Sequence, residues 1–302
     1  MTLISRRGVL KAGLFLGAGF ALDGLVLEPR DFRIERHTVF VRGLGPEFSG
    51  FTICQITDVH HSRIISLEYL ETVVSTANKL KPDLTVLTGD YIDADRNRMA
   101  PAIKCLSGLK AGHGIVAILG NHDYFFGREY TEDVIAANKI PLFKDANIII
   151  ERGSSALCIA GTRDFSEDRP DVKKAFKGVD ESIPRVLLTH HPDHCEHLPH
   201  DERIDLVLSG HTHGGQIRLP FYAPILPSNY GQKYSGGFVR LSKPDGALAY
   251  VSRGIGMAML PIRFNCPPEL TLITLVPARA DATGTEAKAD AWRGLPPLEK
   301  GG

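Results

Sequence analysis

What most constrains the fold is a unit that recurs along the chain: a short run of Ile, Val, Leu and Thr that stops at a cluster of Asp, His, Asn and Gly. Five runs qualify, at 51–57 (FTICQIT), 83–88 (DLTVLT), 114–119 (GIVAIL), 184–189 (PRVLLT) and 204–209 (IDLVLS). Each reads as a strand buried on both faces, which implies a largely parallel sheet covered on its two sides. The polar clusters follow at once: Asp58-Val-His60, Gly89-Asp90, Gly120-Asn121-His122-Asp123, His190 and Gly210-His211-Thr-His213. Sites of open α/β sheets lie along the carboxyl edge of the strands, so a chain built this way gathers these residues at one edge. Asp58 and Asp90 are 32 residues apart, Asp90 and Asn121 are 31 apart, and each interval suits one strand–helix–strand unit. Glycines 89, 120 and 210 permit tight turns there. Between strands, Leu67, Leu70, Val73, Val74, Ala77 and Leu80 recur at helical spacing after Ser66 as N-cap, and Thr131 is placed to cap a short helix through Asn138.

The residue types specify a chemistry. Two divalent cations about 3.5–4 Å apart need a bridging ligand, and a carboxylate has the two oxygens for it. Asp90, central in the series, is the expected bridge. Asp58, His60 and His213 then complete one metal sphere, and Asn121, His190 and His211 the other. Imidazole, carboxylate and amide oxygen together favour Mn²⁺, Zn²⁺ or Fe over Ca²⁺. No cysteine joins the series, against a structural zinc knot. His191 competes with His190, but only His190 directly follows a strand. The run His190, His191, His194, His197, His200 also admits a metal-buffering tract. His37, His113 and His200 read as ordinary surface or loop residues, and Asp93 as a cap of the following loop.

Over roughly residues 50–277 this ordered set resembles the calcineurin-like metallophosphoesterases, which carry D-x-H, G-D-x-x-D, G-N-H-[DE], a lone His after a strand, and G-H-x-H. They stand here as Asp58-Val-His60, Gly89-Asp90-Tyr-Ile-Asp93, Gly120-Asn121-His122-Asp123, His190 and Gly210-His211-Thr-His213. His213-Gly-Gly-Gln216 and the late segment from Arg263 (RFNCPPEL) resemble the bacterial YkuE/YaeI-like branch. The resemblance implies an α/β fold, a four-layer α/β/β/α sandwich of two mixed β-sheets flanked by helices. It implies hydrolysis of phosphodiesters, pyrophosphates or phosphomonoesters by a metal-bound hydroxide. It also implies that His122 stands outside the metal spheres, stabilising the transition state or protonating the leaving oxygen, with Asp123 orienting its imidazole.

The amino-terminal stretch carries a second message. Ser5-Arg6-Arg7-Gly-Val-Leu-Lys11 precedes an uncharged run over 12–22, which reads as a twin-arginine export signal or an anchor over residues 1–28. Eleven apolar residues fall short of the roughly 20 that span a bilayer. An apolar helix of the mature domain is the alternative. Export by the twin-arginine machinery delivers folded proteins, which suits an enzyme loaded with metal beforehand. The phosphoesterase domain is then expected at 29–277 and a disordered polar tail at 278–302. Thirty-five basic and 35 acidic residues balance, so no global positive field collects nucleic acid. Five cysteines are odd in number and unpatterned, which favours no disulfide. Runs 236–241 and 247–252 flank Lys-Pro-Asp-Gly at 243–246, a hairpin signal, and 270–276 reads as the last strand.

The substrate is where the residues say least. Segment 221–230, which begins eight residues after His213, carries Phe221, Tyr222, Ile225, Leu226 and Tyr230 and is bracketed by prolines 220, 224 and 227. As a loop at the site's mouth it could meet a lipid or a membrane surface; as core packing it would sit on the second sheet. Proteins of the resembling family include hydrolases of UDP-2,3-diacylglucosamine, which supports a lipid-linked substrate. That substrate faces the cytoplasm, so an exported enzyme would act on another envelope phosphodiester. A periplasmic nucleotide or phosphomonoester hydrolase, or an envelope protein that stores metal without turnover, are the rival readings.

Overall fold

The structure, a computed structural model, describes Gly19 and residues 22–243 and 246–278. The twin-arginine sequence, most of the tail and two residues of the 243–246 turn lie outside the described residues.

Two mixed sheets carry the fold. The first has strand order β1 (Arg33–Val41), β11 (Glu269–Pro277), β2 (Phe51–Ile56), β3 (Leu84–Thr88), β4 (Ile115–Ile118). Within it β2, β3 and β4 run parallel, and β11 runs antiparallel to β2. The second has order β5 (Ala146–Arg152), β6 (Ser155–Gly161), β7 (Arg185–Leu188), β8 (Leu206–Ser209), β10 (Leu248–Val251), β9 (Gly237–Arg240). Here β6, β7, β8 and β10 are parallel and the edge strands β5 and β9 are antiparallel. All five expected site-bearing strands form, and the expected hairpin is the β9–β10 pair.

Three apolar clusters show the layering. Ile53, Val86 and Ile118 of the first sheet meet Ile159, Leu188 and Leu208 of the second in a central core. On the first sheet's outer face, Ile56, Leu87 and Leu272 pack on helices α1 (Leu67–Leu80), α2 (Met99–Leu106), the short α3 (Asn121–Phe125) and α4 (Arg128–Ala137). On the second sheet's outer face, Leu187, Val207 and Ala249 pack on Val172 and Ala175 of the four-residue α5 (Val172–Ala175), and on Cys195 and Tyr234. The order is therefore α/β/β/α, with one outer layer of true helices and the other of short turns.

Helix α1 starts as its sequence dictates: the Ser66 hydroxyl accepts from the Tyr69 N–H at 3.2 Å, and Leu70, Val73, Val74 and Ala77 are buried. Thr131 does not cap α4. Its hydroxyl lies one turn inside the helix and donates to the Gly127 carbonyl at 3.1 Å, while Gly127 holds the cap position. His37 is likewise no loop residue: it lies half-buried on β1, 3.0 Å from the Tyr250 hydroxyl. All five cysteines are free. Residues 23–30, the end of the stretch read as signal or anchor, form helical turns whose Gly24 carbonyl accepts from the Arg263 N–H. No helix among the described residues is long and apolar enough to cross a membrane.

Candidate metal centre

The five polar clusters meet where the carboxyl ends of β2, β3, β4, β7 and β8 converge. Asp90 stands at the middle: its Oδ2 lies 3.4 Å from His60 Nε2 and 3.2 Å from His190 Nε2. On one side, His213 Nε2 is 3.3 Å from Asp58 Oδ1 and 3.0 Å from His60 Nε2. On the other, Asn121 Oδ1 is 2.9 Å from His211 Nδ1 and 3.2 Å from His190 Nε2. Two trios of donor atoms, Asp58/His60/His213 and Asp90/His190/His211, are each compact enough for one cation. A third trio of the same compactness, His60/Asp93/His122, shares His60 with the first.

The local backbone explains the convergence. Asp58, His60, Asp90, His211 and His213 all adopt left-handed φ between 43° and 70°, a region that costs a non-glycine residue about 1–3 kcal/mol. Such strain persists only where surrounding bonds over-determine it. The Asp58 and His60 amides donate to the carbonyls of Gly89 and Asp90. The His211 N–H donates to both oxygens of Asp58, at 2.9 and 3.0 Å, and the Thr57 hydroxyl donates to Asp58 Oδ2 at 2.7 Å. Two glycines are required by close approach. A Cβ at Gly210 would fall 2.1 Å from Asp58 Oδ2, and one at Gly120 would fall 2.3 Å from Asp90 Oδ1.

Ring orientations are set from behind. His190 Nδ1 lies 2.8 Å from the Thr88 carbonyl and His211 Nε2 lies 3.1 Å from the Pro227 carbonyl. These contacts turn His190 Nε2 and His211 Nδ1 toward the site, the orientation a metal-binding imidazole requires. Ring nitrogens paired at 3.0 and 3.3 Å, beside buried carboxylates, form a donor set that fits divalent cations. The electrostatics agree. Burial opposes charge on His60, yet Asp90 and Asp58 hold its imidazolium favoured. His190 is raised further, Asp90 again outweighing burial. Burial would also push Asp90 up, but the His190 and His60 imidazoles keep it well below the usual carboxylate range. Burial and their histidine neighbours drive His211 and His213 far below the ordinary imidazole value. The carboxylates thus favour positive charge at two places, one in each trio.

His122 sits half-buried beside this centre, its ring 4.6 Å from that of His60. Its Nδ1 lies 2.7 Å from the Asp93 carbonyl, so Nδ1–H donates there and Nε2 is the ring nitrogen left for another partner. This corrects the expectation that Asp123 orients the imidazole. The buried Asp123 carboxylate instead accepts from the backbone N–H groups of Gly120, Asp90 and Tyr91 at 2.8–3.0 Å. It ties the β3 and β4 turns together, because neighbouring side chains on a tight turn leave in different directions. Burial, then the Asp90 charge, pushes it up to about 7. Asp93 belongs to the site rather than capping a loop, with its Oδ1 3.9 Å from His60 Nδ1.

His191 stays outside both trios. It stacks on His211 with centroids 4.0 Å apart, and its Nδ1 accepts from the Asp193 N–H. His194 and His197 stack on Phe165, so these two members of the histidine run serve as packing, while His200 is exposed. Sequence reasoning missed Asp164. It follows β6 at the same sheet edge, is fully buried, and has one oxygen, Oδ2, without a hydrogen-bond partner. Its charge is among those raising His190. The signal was present, since LCIAGTRD is another apolar run ending in a polar fragment.

Comparison with known proteins agrees with this geometry. Residues 51–215 match the model of the calcineurin-like phosphoesterase family. The chain is 36% identical over 272 residues to the metallophosphoesterase YkuE of Bacillus subtilis, covering 89% of this chain and 94% of that protein. It is 31% identical to phosphodiesterase YaeI of Escherichia coli, covering 91% and 100%. It is 30% identical to the UDP-2,3-diacylglucosamine pyrophosphatase LpxG of Chlamydia trachomatis, covering 82% and 90%. The chain belongs to the calcineurin-like phosphoesterase family and is a hydrolase of phosphoester bonds.

Proposed function

We propose that this protein is a two-metal phosphodiesterase or pyrophosphatase whose substrate is lipid-linked, of the class of UDP-2,3-diacylglucosamine. The observation that carries the two-metal reading is Asp90 Oδ2, set between His60 Nε2 and His190 Nε2 at 3.4 and 3.2 Å. Asp90 would be the shared ligand, with Asp58, His60 and His213 on one cation and Asn121, His190 and His211 on the other. Two divalent cations, of Mn²⁺, Zn²⁺ or Fe, would polarise the phosphoryl oxygens and acidify an attacking water. The remaining work falls to the chain. Asp58 is held by the His211 N–H and the Thr57 hydroxyl, so it cannot swing away from the trio. His122, anchored through Nδ1 on the Asp93 carbonyl, presents Nε2 to deliver a proton to the leaving oxygen. Asp123 positions Asp90 by holding its backbone N–H.

The lipid-linked class is supported by two observations: a relative named for a lipid-bearing pyrophosphate substrate, and the exposed apolar segment that follows His213. With Ser5-Arg6-Arg7 ahead of an apolar run, the reading includes export by the twin-arginine machinery or retention at the membrane. The test is turnover of Mn²⁺-loaded protein on bis-p-nitrophenyl phosphate against p-nitrophenyl phosphate, followed by lipid-linked and nucleotide diesters. Faster cleavage of the diester, and of the lipid-linked member of the second pair, is the expected result. Preference for the monoester or the free nucleotide would move the assignment to a nucleotide or phosphomonoester hydrolase. No turnover with two metals bound would leave a metal store.

A further inference from the structure

We infer that three segments around the metal centre's mouth form one lipid-docking face that seats the site on a bilayer surface. The inference deepens the proposed function and rests on the same site, yet it is read by an observable independent of turnover. Fifteen large apolar side chains are exposed among the described residues. Four fall in 22–27, five in 219–230 and two in 259–260. Solitary exposed apolar residues are ordinary, whereas a concentration of this kind marks an interaction surface. Phe221, Ile225 and Met259 are 104, 93 and 92% exposed, so they stand out from the surface as loop tips rather than lining a groove.

Hydrogen bonds tie 258–260 and 22–28 to the 216–218 and 263–266 stretches beside the His213 turn, and loop 219–230 packs on that turn. The buried Gln216 amide, three residues past His213, clamps 258–260: its Nε2 donates to the Leu260 carbonyl and its Oε1 accepts from the Ala258 N–H, at 3.1 and 2.8 Å. Arg218 N–H donates to the Phe264 carbonyl and Phe264 N–H to the Gln216 carbonyl. Residues 22–28 join at the same place. The Gly24 carbonyl accepts from the Arg263 N–H, and the Glu28 carboxylate accepts from the Asn265 and Cys266 N–H groups. Loop 219–230 lies against the turn itself, since a Cβ at Gly215 would fall 2.5 Å from Pro224. The root of that loop reaches a proposed ligand, with the Pro227 carbonyl 3.1 Å from His211 Nε2. Asp193 pins the next residues through the Ser228 hydroxyl and the Asn229 N–H, at 2.5 and 2.7 Å.

A lipid surface is the occupant this face fits. Its side chains are protruding tips held on a hydrogen-bonded base, the shape that inserts into an acyl boundary at low entropic cost. The chain outside the described residues points the same way. The apolar run 12–22, preceded by Arg6, Arg7 and Lys11, enters the fold at Leu22, inside the face. Apolar residues flanked by basic ones suit an anionic membrane interface.

The test uses the full chain, metal-loaded, with vesicles of phosphatidylethanolamine and phosphatidylglycerol, and reads the partition coefficient by co-sedimentation. The variants are Phe221→Ser with Ile225→Ser, and Met259→Ser with Leu260→Ser. Each pair is expected to lower partition about ten-fold or more. Phe221→Trp, which keeps an interfacial ring, is expected to retain it. Unchanged melting temperature and unchanged bis-p-nitrophenyl phosphate turnover without vesicles would show that the fold is intact. Partition that persists in both pairs and disappears only when residues 1–21 are deleted would overturn the inference. So would a wild-type dimer that the substitutions dissociate, since the face would then belong to a second copy. If turnover is absent while partition behaves as expected, the docking face stands and the enzymatic reading falls.

Discussion

The ligand-bearing turns and the apolar mouth lie next to each other and are built by opposite rules. In the turns, the polar side chains are buried and the carboxylates held: Asp58 accepts three hydrogen bonds, Asp123 accepts three, and five proposed ligands are kept in left-handed backbone. In the mouth, Phe221, Ile225 and Met259 project into solvent with their side chains unconstrained. The contrast shows where this chain invests stability. Strain and burial are concentrated where atoms must stay within about 0.5 Å of a working geometry, and exposed apolar surface is concentrated where the proposed docking face lies. The two regions are linked at the Pro227 carbonyl on His211, at Pro224 against Gly215, and through the Gln216 amide on 258–260.

That contrast can be broken from either side, and the expected effects shrink on going from the centre outwards. His122→Ala removes the proposed proton donor while leaving both trios intact. We expect kcat to fall by about 10²–10⁴ with metal content unchanged, read by steady-state kinetics beside elemental analysis. Loss of metal in step with activity would make His122 a ligand. Gly210→Ala puts a methyl where Asp58 Oδ2 lies 2.1 Å away, and displacing that carboxylate by about 1 Å should cost about 10²-fold in turnover. A variant of wild-type activity would mean that the turn is more compliant than its bonding implies.

A pH effect should reach the wall beside the centre. The His194 imidazole is buried against Phe165, with Nδ1 3.0 Å from the Thr189 hydroxyl, and burial pushes it down to about 4. Its folded value lies below the unfolded one, so the unfolded chain takes up this proton first as pH falls. Stability from this group is therefore complete above about pH 6.5 and declines between 6.5 and 4, by about 3 kcal/mol. Denaturant unfolding at several pH values should show that slope, and His194→Gln should flatten it. The smallest effect belongs to the mouth. Phe221→Ser should change unfolding free energy by no more than about 0.5 kcal/mol, as for an exposed side chain. A larger loss would show that segment 219–230 is core packing after all.

The sequence was most legible where burial on both faces left only apolar residues. Runs such as LTVLT and LVLS could hardly be anything but inner strands, and the polar fragments after them located the site. β1 was not legible, because RIERHTVFV is an edge strand with six exposed or half-exposed residues before its first buried one, and its partner β11 is more than 200 residues away. The β5–β6 hairpin was legible in principle, as apolar runs about the Gly153-Ser154 turn. Within the site, which residues cluster could be read from strand-end placement. The left-handed backbone at Asp58, His60, Asp90, His211 and His213 could not, since it arises from long-range bonds such as His211 N–H to Asp58. Asp123 shows the same limit: its position was clear, but the direction of its side chain depends on a turn geometry that only the fold supplies.

The central claim is that Asp90 bridges two cations in a working phosphoesterase, and one paired measurement tests it most directly: metal equivalents and bis-p-nitrophenyl phosphate turnover for wild type and Asp90→Asn. The wild type should bind about two equivalents and turn over. Asp90→Asn should hold one or none and lose turnover by more than about 10⁴-fold, because both cations lose the charge they share. Two tightly held metals and near-normal turnover in Asp90→Asn would contradict the account.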